Sequence, residues 1–296
     1  TYEQIQRLEQ RGYEVTWVSV GADGLVDLGE WSDAIREGET ALASMIWANN
    51  ETGVIAPVVP AAEIAHKKGV LFHSDAVQAA GKMPINLGDE SPLAMLSLSG
   101  HKLHAPKGVG VLWASRHVRF SPVLIGGGQE SGRRSGTENV AGIVAFGKAA
   151  EVAAEALSNH VLDRITELRD AFEAELLLKL PGIEVNGDID RRLANTSNLY
   201  FPGIDAEGLL ILLDKAGVCC SPGSACSTGE VKPSRILTAM GHAAERARSS
   251  VRFSVSRLST REEVGKGAEL VVEAAKKLDT GLGAPKRSGG PVIFHN

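Results

Sequence analysis

Lys102 stands at the end of an apolar run, Leu96-Ser97-Leu98, after the small polar triplet Ser99-Gly100-His101. An amine at the carboxyl end of a buried strand is desolvated. Desolvation lowers its pKa and makes it a nucleophile toward a carbonyl carbon. The ordinary alternative is a solvated strand terminus. What weighs against that alternative is the company Lys102 keeps. Asn50 follows the apolar run 40–48, Asp75 follows the run 70–73, and Ser99 and His101 flank the lysine itself.

A lysine that forms an imine, an acid opposite a ring nitrogen and donors for a phosphate are what a pyridoxal phosphate site requires. In that reading Lys102 supplies the amine, Asp75 faces the pyridine nitrogen, and Ser99 and His101 donate to the phosphate. Each has a plainer reading: Asp75 as the N-cap of a following helix, Ser99 and His101 as ordinary loop hydrogen bonders. Two further residues stand out. Cys226 lies in a loop of small residues, 221–230, which suits either an exposed thiol delivered as a nucleophile or an inert one. Arg252 lies within the apolar run 250–254 and must be paired if buried, by a substrate carboxylate or by an internal salt bridge. Cys219 and Cys220 read as core residues.

These residues need elements to hold them. Residues 13–20 alternate and carry β-branched and aromatic side chains, which predicts a strand. Residues 21–24 read as a turn, 28–36 as a helix, 40–48 as a buried strand, and 60–68 as a helix closed by Gly69. Strands follow at 70–75, 94–99 and 108–114. The alternation predicts an α/β domain with a largely parallel sheet, whose ligands bind at the carboxyl ends of the strands. An Ala-rich helix at 138–157 and an amphipathic one to 180 come next. Later elements are a strand near 195–201, helices near 206–216 and 233–240, a strand at 250–256 and a helix at 260–278. The order predicts a large domain over 1–157, a smaller α+β domain over 158–278 and a loose tail over 279–296.

The 296 residues suffice for such a pair of cores. A net charge of −5 argues against a direct nucleic-acid or membrane-surface role. No apolar run reaches the length that spans a bilayer. Three cysteines, two adjacent, do not form a disulfide framework, which points to a reducing cytoplasm. Metal-ligand spacings are absent, so no metal is expected. The chain opens at Thr1 inside a helical pattern (Ile5, Leu8, Arg11), as a piece of a longer protein would.

Taken together, 97–102 (Ser-Leu-Ser-Gly-His-Lys), 126–130 (Gly-Gly-Gly-Gln-Glu), 134–137 (Arg-Ser-Gly-Thr) and 223–226 (Gly-Ser-Ala-Cys) resemble the cysteine desulfurases of the class V aminotransferase group. The branch is the one that supplies sulfur for iron–sulfur or nitrogenase cofactor assembly. The resemblance runs from about Tyr2 to Leu278. It implies a fold type I pyridoxal phosphate enzyme acting as a homodimer. Lys102 would be the Schiff-base lysine and Asp75 the partner of the ring nitrogen. Gln78 and Asn50 would lie near the phenolic oxygen, with Asn50 also close to the substrate. Ser99 and His101 would bind the phosphate, and Thr137 the phosphate of the other subunit. Arg252 would hold the substrate carboxylate, and Cys226 would carry the persulfide as L-cysteine becomes L-alanine. A sulfur-accepting scaffold or carrier protein is the implied partner. The alternatives are a selenocysteine lyase, another class V aminotransferase or an inactive fragment. The family's opening portion, with a Gly-Ala-Thr-Glu-type phosphate loop and a histidine stacked on the ring, has no counterpart here. The large domain is therefore expected to be incomplete at its N-terminus.

Overall fold

A computed structural model describes residues 2–88, 90–222 and 233–279. Helices α1 (Tyr2–Glu9) and α2 (Leu28–Ala34) precede the first sheet. The Asp27 carboxylate accepts the Glu30 N–H at 2.8 Å and so caps α2, satisfying a donor that the first helical turn leaves free. The sheet then forms from β1 (Leu42–Ile46), β2 (Leu71–Asp75), β3 (Met95–Ser99) and β4 (Gly110–Ala114), side by side in that order. The first three are parallel and β4 is antiparallel to β3. Helix α3 (Val58–Lys67) crosses from β1 to β2 and buries Val58, Ala61, Ala62 and Ala65 against Ala43, Met45, Phe72 and Leu96.

Side chains alternate across a sheet, so the other face carries Leu42, Ile46, Leu71 and Leu112, all exposed. A hydrogen-bonded row crosses this face, from Ser44 Oγ to His73 Nδ1 at 2.8 Å and from His73 Nε2 to Ser97 Oγ at 2.9 Å. Burial holds the His73 pKa below its ordinary value despite the opposing charge of Asp75. Parallel order brings the carboxyl ends of β1, β2 and β3 to one edge, where Asn50, Asp75 and Ser99 stand.

Helix α4 (Val140–Ser158) lies beneath that edge. Its Phe146, Ala149 and Ala153 pack on Ala80 and Leu103. Helix α5 (Val161–Lys179) belongs to a second core. There β5 (Glu184–Val185), β6 (Thr196–Tyr200), β7 (Ser221–Pro222) and β8 (Ser250–Ser254) form an antiparallel sheet in the order β5-β6-β8-β7. Between these strands run α6 (Ala206–Lys215), α7 (Arg235–Ala239) and α8 (Ala244–Arg248), and α9 (Arg261–Asp279) follows. Phe172, Leu209, Leu213 and Val271 of three helices cover Leu199, Val251 and Phe253 of the strands.

A short clasp joins the two sheets. Ile55 N–H donates to Arg191 O at 2.8 Å and Leu193 N–H to Gly53 O at 2.9 Å. Arg192 between them forms a buried bidentate pair with Glu173 of α5, at 2.5 and 2.7 Å. Gly53 is required here twice over: its φ is +79°, and a Cβ would lie 2.9 Å from Thr196 Cβ.

The structure bears out the predicted strands at 40–48, 70–75, 94–99 and 108–114 in shortened form. It departs at residues 13–20, where the only pairing among the described residues is a single bridge from Val20 to Val26. Alternation makes a strand only where a neighbouring backbone completes the hydrogen bonds, and among the described residues none lies alongside 13–19. Cys219 is also not a core residue: it is exposed, and only Cys220 packs on the second core. Among the described residues, no helix is long and apolar enough to cross a membrane.

Candidate active site

β3 runs directly into a 3-10 turn, Gly100–Leu103. The turn buries Leu103 against α4 and leaves Lys102 half-buried. Gly81 makes the close approach possible, with φ at +68° and a hypothetical Cβ 2.5 Å from Leu103 Cδ2 and 2.9 Å from Ala153 Cβ. Gly81→Ala therefore combines a left-handed backbone with overpacking. It is expected to lower stability by ~2–4 kcal/mol, read from denaturant unfolding.

Lys102 faces a cavity of about 320 Å³, within the usual size for a small-molecule site. Five of the nine residues singled out from the sequence line it: Asn50, Gln78, His101, Lys102 and Arg252. The wall also holds Lys82, His104 and Arg257 and, among the described residues, no carboxylate. Lys82 Nζ donates to Gln78 Oε1 at 2.8 Å. Burial, with Lys102 and Arg252 nearby, pushes the Lys82 pKa down to about 8. Burial, then Arg257 and Lys82, holds His104 below its ordinary value as well.

Arg252 comes from β8 and reaches across to the first sheet, where one guanidinium N–H donates to Asn50 O at 2.5 Å. Its Nε is buried with no hydrogen-bond partner among the described residues. A buried donor left empty is costly, so this nitrogen and the cationic wall fit an anionic ligand. A phosphate and a carboxylate are both of that kind.

Glu51, next to Asn50, is 8% exposed and ties the same two sheets together. Ser234 Oγ donates to Glu51 Oε2 at 2.5 Å and accepts the Leu237 N–H at 3.1 Å as the N-cap of α7. Asn198 Nδ2 donates to Glu51 O at 3.1 Å. Burial raises the Glu51 pKa from an ordinary 4.5 to about 7, against the lowering effects of Ser234 and Arg252. The unfolded chain therefore releases this proton first as pH rises. Stability falls across the interval from about 4.5 to about 7 and then levels. Glu51→Gln removes that cost, at most ~3 kcal/mol. Its melting temperature is expected to fall less than that of wild type on going from acid to mildly alkaline buffer.

Of the other four expected residues, Asp75, Ser99 and Thr137 stand apart from the cavity wall. Asp75 Oδ1 accepts the Val77 N–H at 3.1 Å, at the head of a turn and not of a helix, so the N-cap expectation is not met. Ser99 Oγ is hydrogen-bonded to His101 Nδ1 at 2.7 Å. Thr137 is exposed ahead of α4. Cys226 lies outside the described residues, as does the tail 280–296. The stretch holding Cys226 is nonetheless fixed at both sides. Ser221 and Pro222 pair with Arg252 and Val251, and Ser234 is fully buried on Glu51. Cys220 is no substitute nucleophile, because burial pushes its thiol up to about 11.

Sequence reasoning missed Glu51 and Lys82. The signal for Glu51 was its place one residue after Asn50, in a polar loop that ends a buried strand. The signal for Lys82 was its spacing of four residues from Gln78, one helical turn.

An α/β sheet with a lysine turn at its carboxyl edge and a cationic cavity shared with a second sheet is the frame of an enzyme acting on small anionic molecules. The chain belongs to the class-V aminotransferase family, whose description matches residues 2–266. Within that pyridoxal-phosphate-dependent family its relatives are cysteine desulfurases. It is 46% identical over 273 residues to the cysteine desulfurase of Nostoc sp. (strain PCC 7120), covering 92% of this chain and 68% of the relative. It is 46% identical over 257 residues to the cysteine desulfurase NifS of Azotobacter vinelandii, covering 87% and 63%. Among solved structures, a NifS-like protein superposes with a TM-score of 0.85 at 34% identity, over 94% of this chain and 72% of that one. A NifS-like protein from Rickettsia africae gives 0.79 at 34% identity, over 88% and 69%. The fold is therefore that of the fold type I enzymes, as expected.

Proposed function

We propose that this chain acts on L-cysteine with pyridoxal phosphate as its cofactor, releasing L-alanine and leaving the sulfur as a persulfide on Cys226. The observation that carries this is the shared cavity, which Lys102, Asn50 and Gln78 of the first unit line together with Arg252 of the second, whose buried Nε has no partner among the described residues. Lys102 would hold the cofactor covalently, with His101 and Ser99 near its phosphate and Asp75, Gln78 and Asn50 near its ring. When bound, the cofactor supplies an electron sink for a carbanion at the substrate Cα. The chain's own residues do the rest. Arg252 holds the substrate carboxylate, and Lys102, once released, carries the Cα proton. The Cys226 thiolate takes the substrate sulfur: an S–S bond forms, the C–S bond breaks, and the carbon receives a proton. Atoms and electrons balance without an external reductant, since one thiol and cysteine give one persulfide and alanine.

The domain division near residue 157 is part of this reading, supported by α4 packing on the lysine turn and α5 on the second core. A homodimer is proposed as well. Val123 and Ile125 are 94% and 87% exposed, and Val140 and Val144 beside Thr137 are exposed too. Apolar side chains of this kind fit a second copy better than water. A sulfur-accepting scaffold or carrier protein would take the persulfide. A cytoplasmic location suits a chemistry that needs reduced thiols.

The test supplies the chain with pyridoxal phosphate and L-cysteine and measures alanine and protein-bound sulfur together, with molar mass by light scattering. Equal amounts of both in the first turnover are expected. Alanine formed only when a keto acid is added would overturn the desulfurase reading in favour of a transaminase, and alanine from selenocysteine but not cysteine would favour a lyase.

A further inference from the structure

Lys82 sits in a cavity wall that holds no carboxylate among the described residues. Its one hydrogen bond among the described residues is to Gln78 Oε1 at 2.8 Å. The charged groups that bear on it are Lys102 and Arg252, both cations, with His104 within its field. A partly buried ammonium placed among cations is destabilised in its charged form, and its contact with Gln78 shows what it can do there. A lysine ammonium only donates, so the Gln78 atom that faces it must be the carbonyl oxygen. The Gln78 NH2 group then has to point elsewhere, and Gln78 also lines the cavity.

We propose that Lys82 is a positioning residue that fixes the Gln78 amide with its NH2 as a donor to an anionic oxygen of the bound ligand. The proposal rests on the pyridoxal phosphate reading above. Without Lys82 the amide is free to turn its oxygen toward the ligand, replacing a donor by a repelling acceptor. The depressed pKa of Lys82 is in keeping with a site that waits for an anion, because a bound anion restores the full charge of the ammonium.

The experiment uses the full chain with pyridoxal phosphate as the probe, measuring its dissociation constant and the pH midpoint of its visible band. Wild type, Lys82→Met, Lys82→Arg, Gln78→Leu and the Lys82→Met/Gln78→Leu double variant are compared. Lys82→Met is expected to weaken binding roughly tenfold and to move the midpoint upward by about one pH unit, because the anionic form of the ligand loses a donor. Lys82→Arg should restore most of both. In the Gln78→Leu background, Lys82→Met should add little, since Lys82 acts through Gln78. Equal effects of Lys82→Met in both backgrounds, or an unmoved midpoint, would overturn the proposal while leaving the cofactor reading intact. A wild-type chain that takes up no pyridoxal phosphate would overturn both. Melting curves recorded on the same samples separate these outcomes from loss of fold.

Discussion

Lys102→Ala is expected to cut alanine release from L-cysteine by ~1,000-fold or more and to abolish the visible band of bound pyridoxal phosphate, with little change in melting temperature. The split follows from where the turn makes its contacts. Leu103, not Lys102, is the residue packed on Phe146 and Ala153, while Lys102 is half in the cavity. Removing the amine therefore takes away the proposed covalent anchor and proton carrier but almost none of the core. Alanine measured by chromatography and absorbance in the visible range report the two effects separately. Retained turnover in a folded Lys102→Ala chain would refute the assignment of this lysine.

Arg252→Ala is expected to raise the KM for L-cysteine roughly 100-fold with a much smaller change in kcat, the pattern of lost uniform binding. The guanidinium lines the cavity and bridges to the first sheet through Asn50 O, and its buried Nε has no hydrogen-bond partner among the described residues. It also keeps Glu51 partly in check, because its charge lowers the Glu51 pKa. The alanine variant should therefore push the Glu51 titration further up, deepening the loss of stability toward alkaline pH. Arg252→Lys should recover only part of the KM, since an ammonium cannot present two parallel donors to a carboxylate. A KM unchanged by either substitution would remove Arg252 from the substrate site.

Much of the first sheet was legible because β1, β2 and β3 are apolar runs that end in polar residues, and parallel strands must deliver those ends to one edge. That same logic found Asn50, Lys102 and His101. What it could not find were features made by neighbours. β5 and β7 are two residues each and exist only because β6 and β8 supply partners. Residues 13–19 have the pattern of a strand and no partner strand among the described residues. Glu51 and Lys82 look in sequence like solvated loop charges, and only the tertiary fold buries them. Asp75 shows the limit of reading a type at a position: its hydrogen bond to Val77 and a role beside a ring nitrogen require the same strand-end carboxylate.

The two fixed points on either side of the Cys226 stretch carry a kinetic consequence. Pro222 pairs with Val251, the neighbour of the cavity-lining Arg252, and Cys226 follows Pro222 by four residues. Chain length alone then limits the Cα–Cα distance from Pro222 to Cys226 to ~14 Å. If Cys226 is the nucleophile proposed above, so short a tether gives it an effective concentration in the millimolar range, and sulfur capture is expected to be first-order, with a rate that does not depend on how much protein is present. Inserting inert residues until the stretch between the anchors doubles should dilute the thiol by roughly threefold, slowing persulfide formation. Cysteine would still bind as before, because Arg252 and Lys102 are outside the tether.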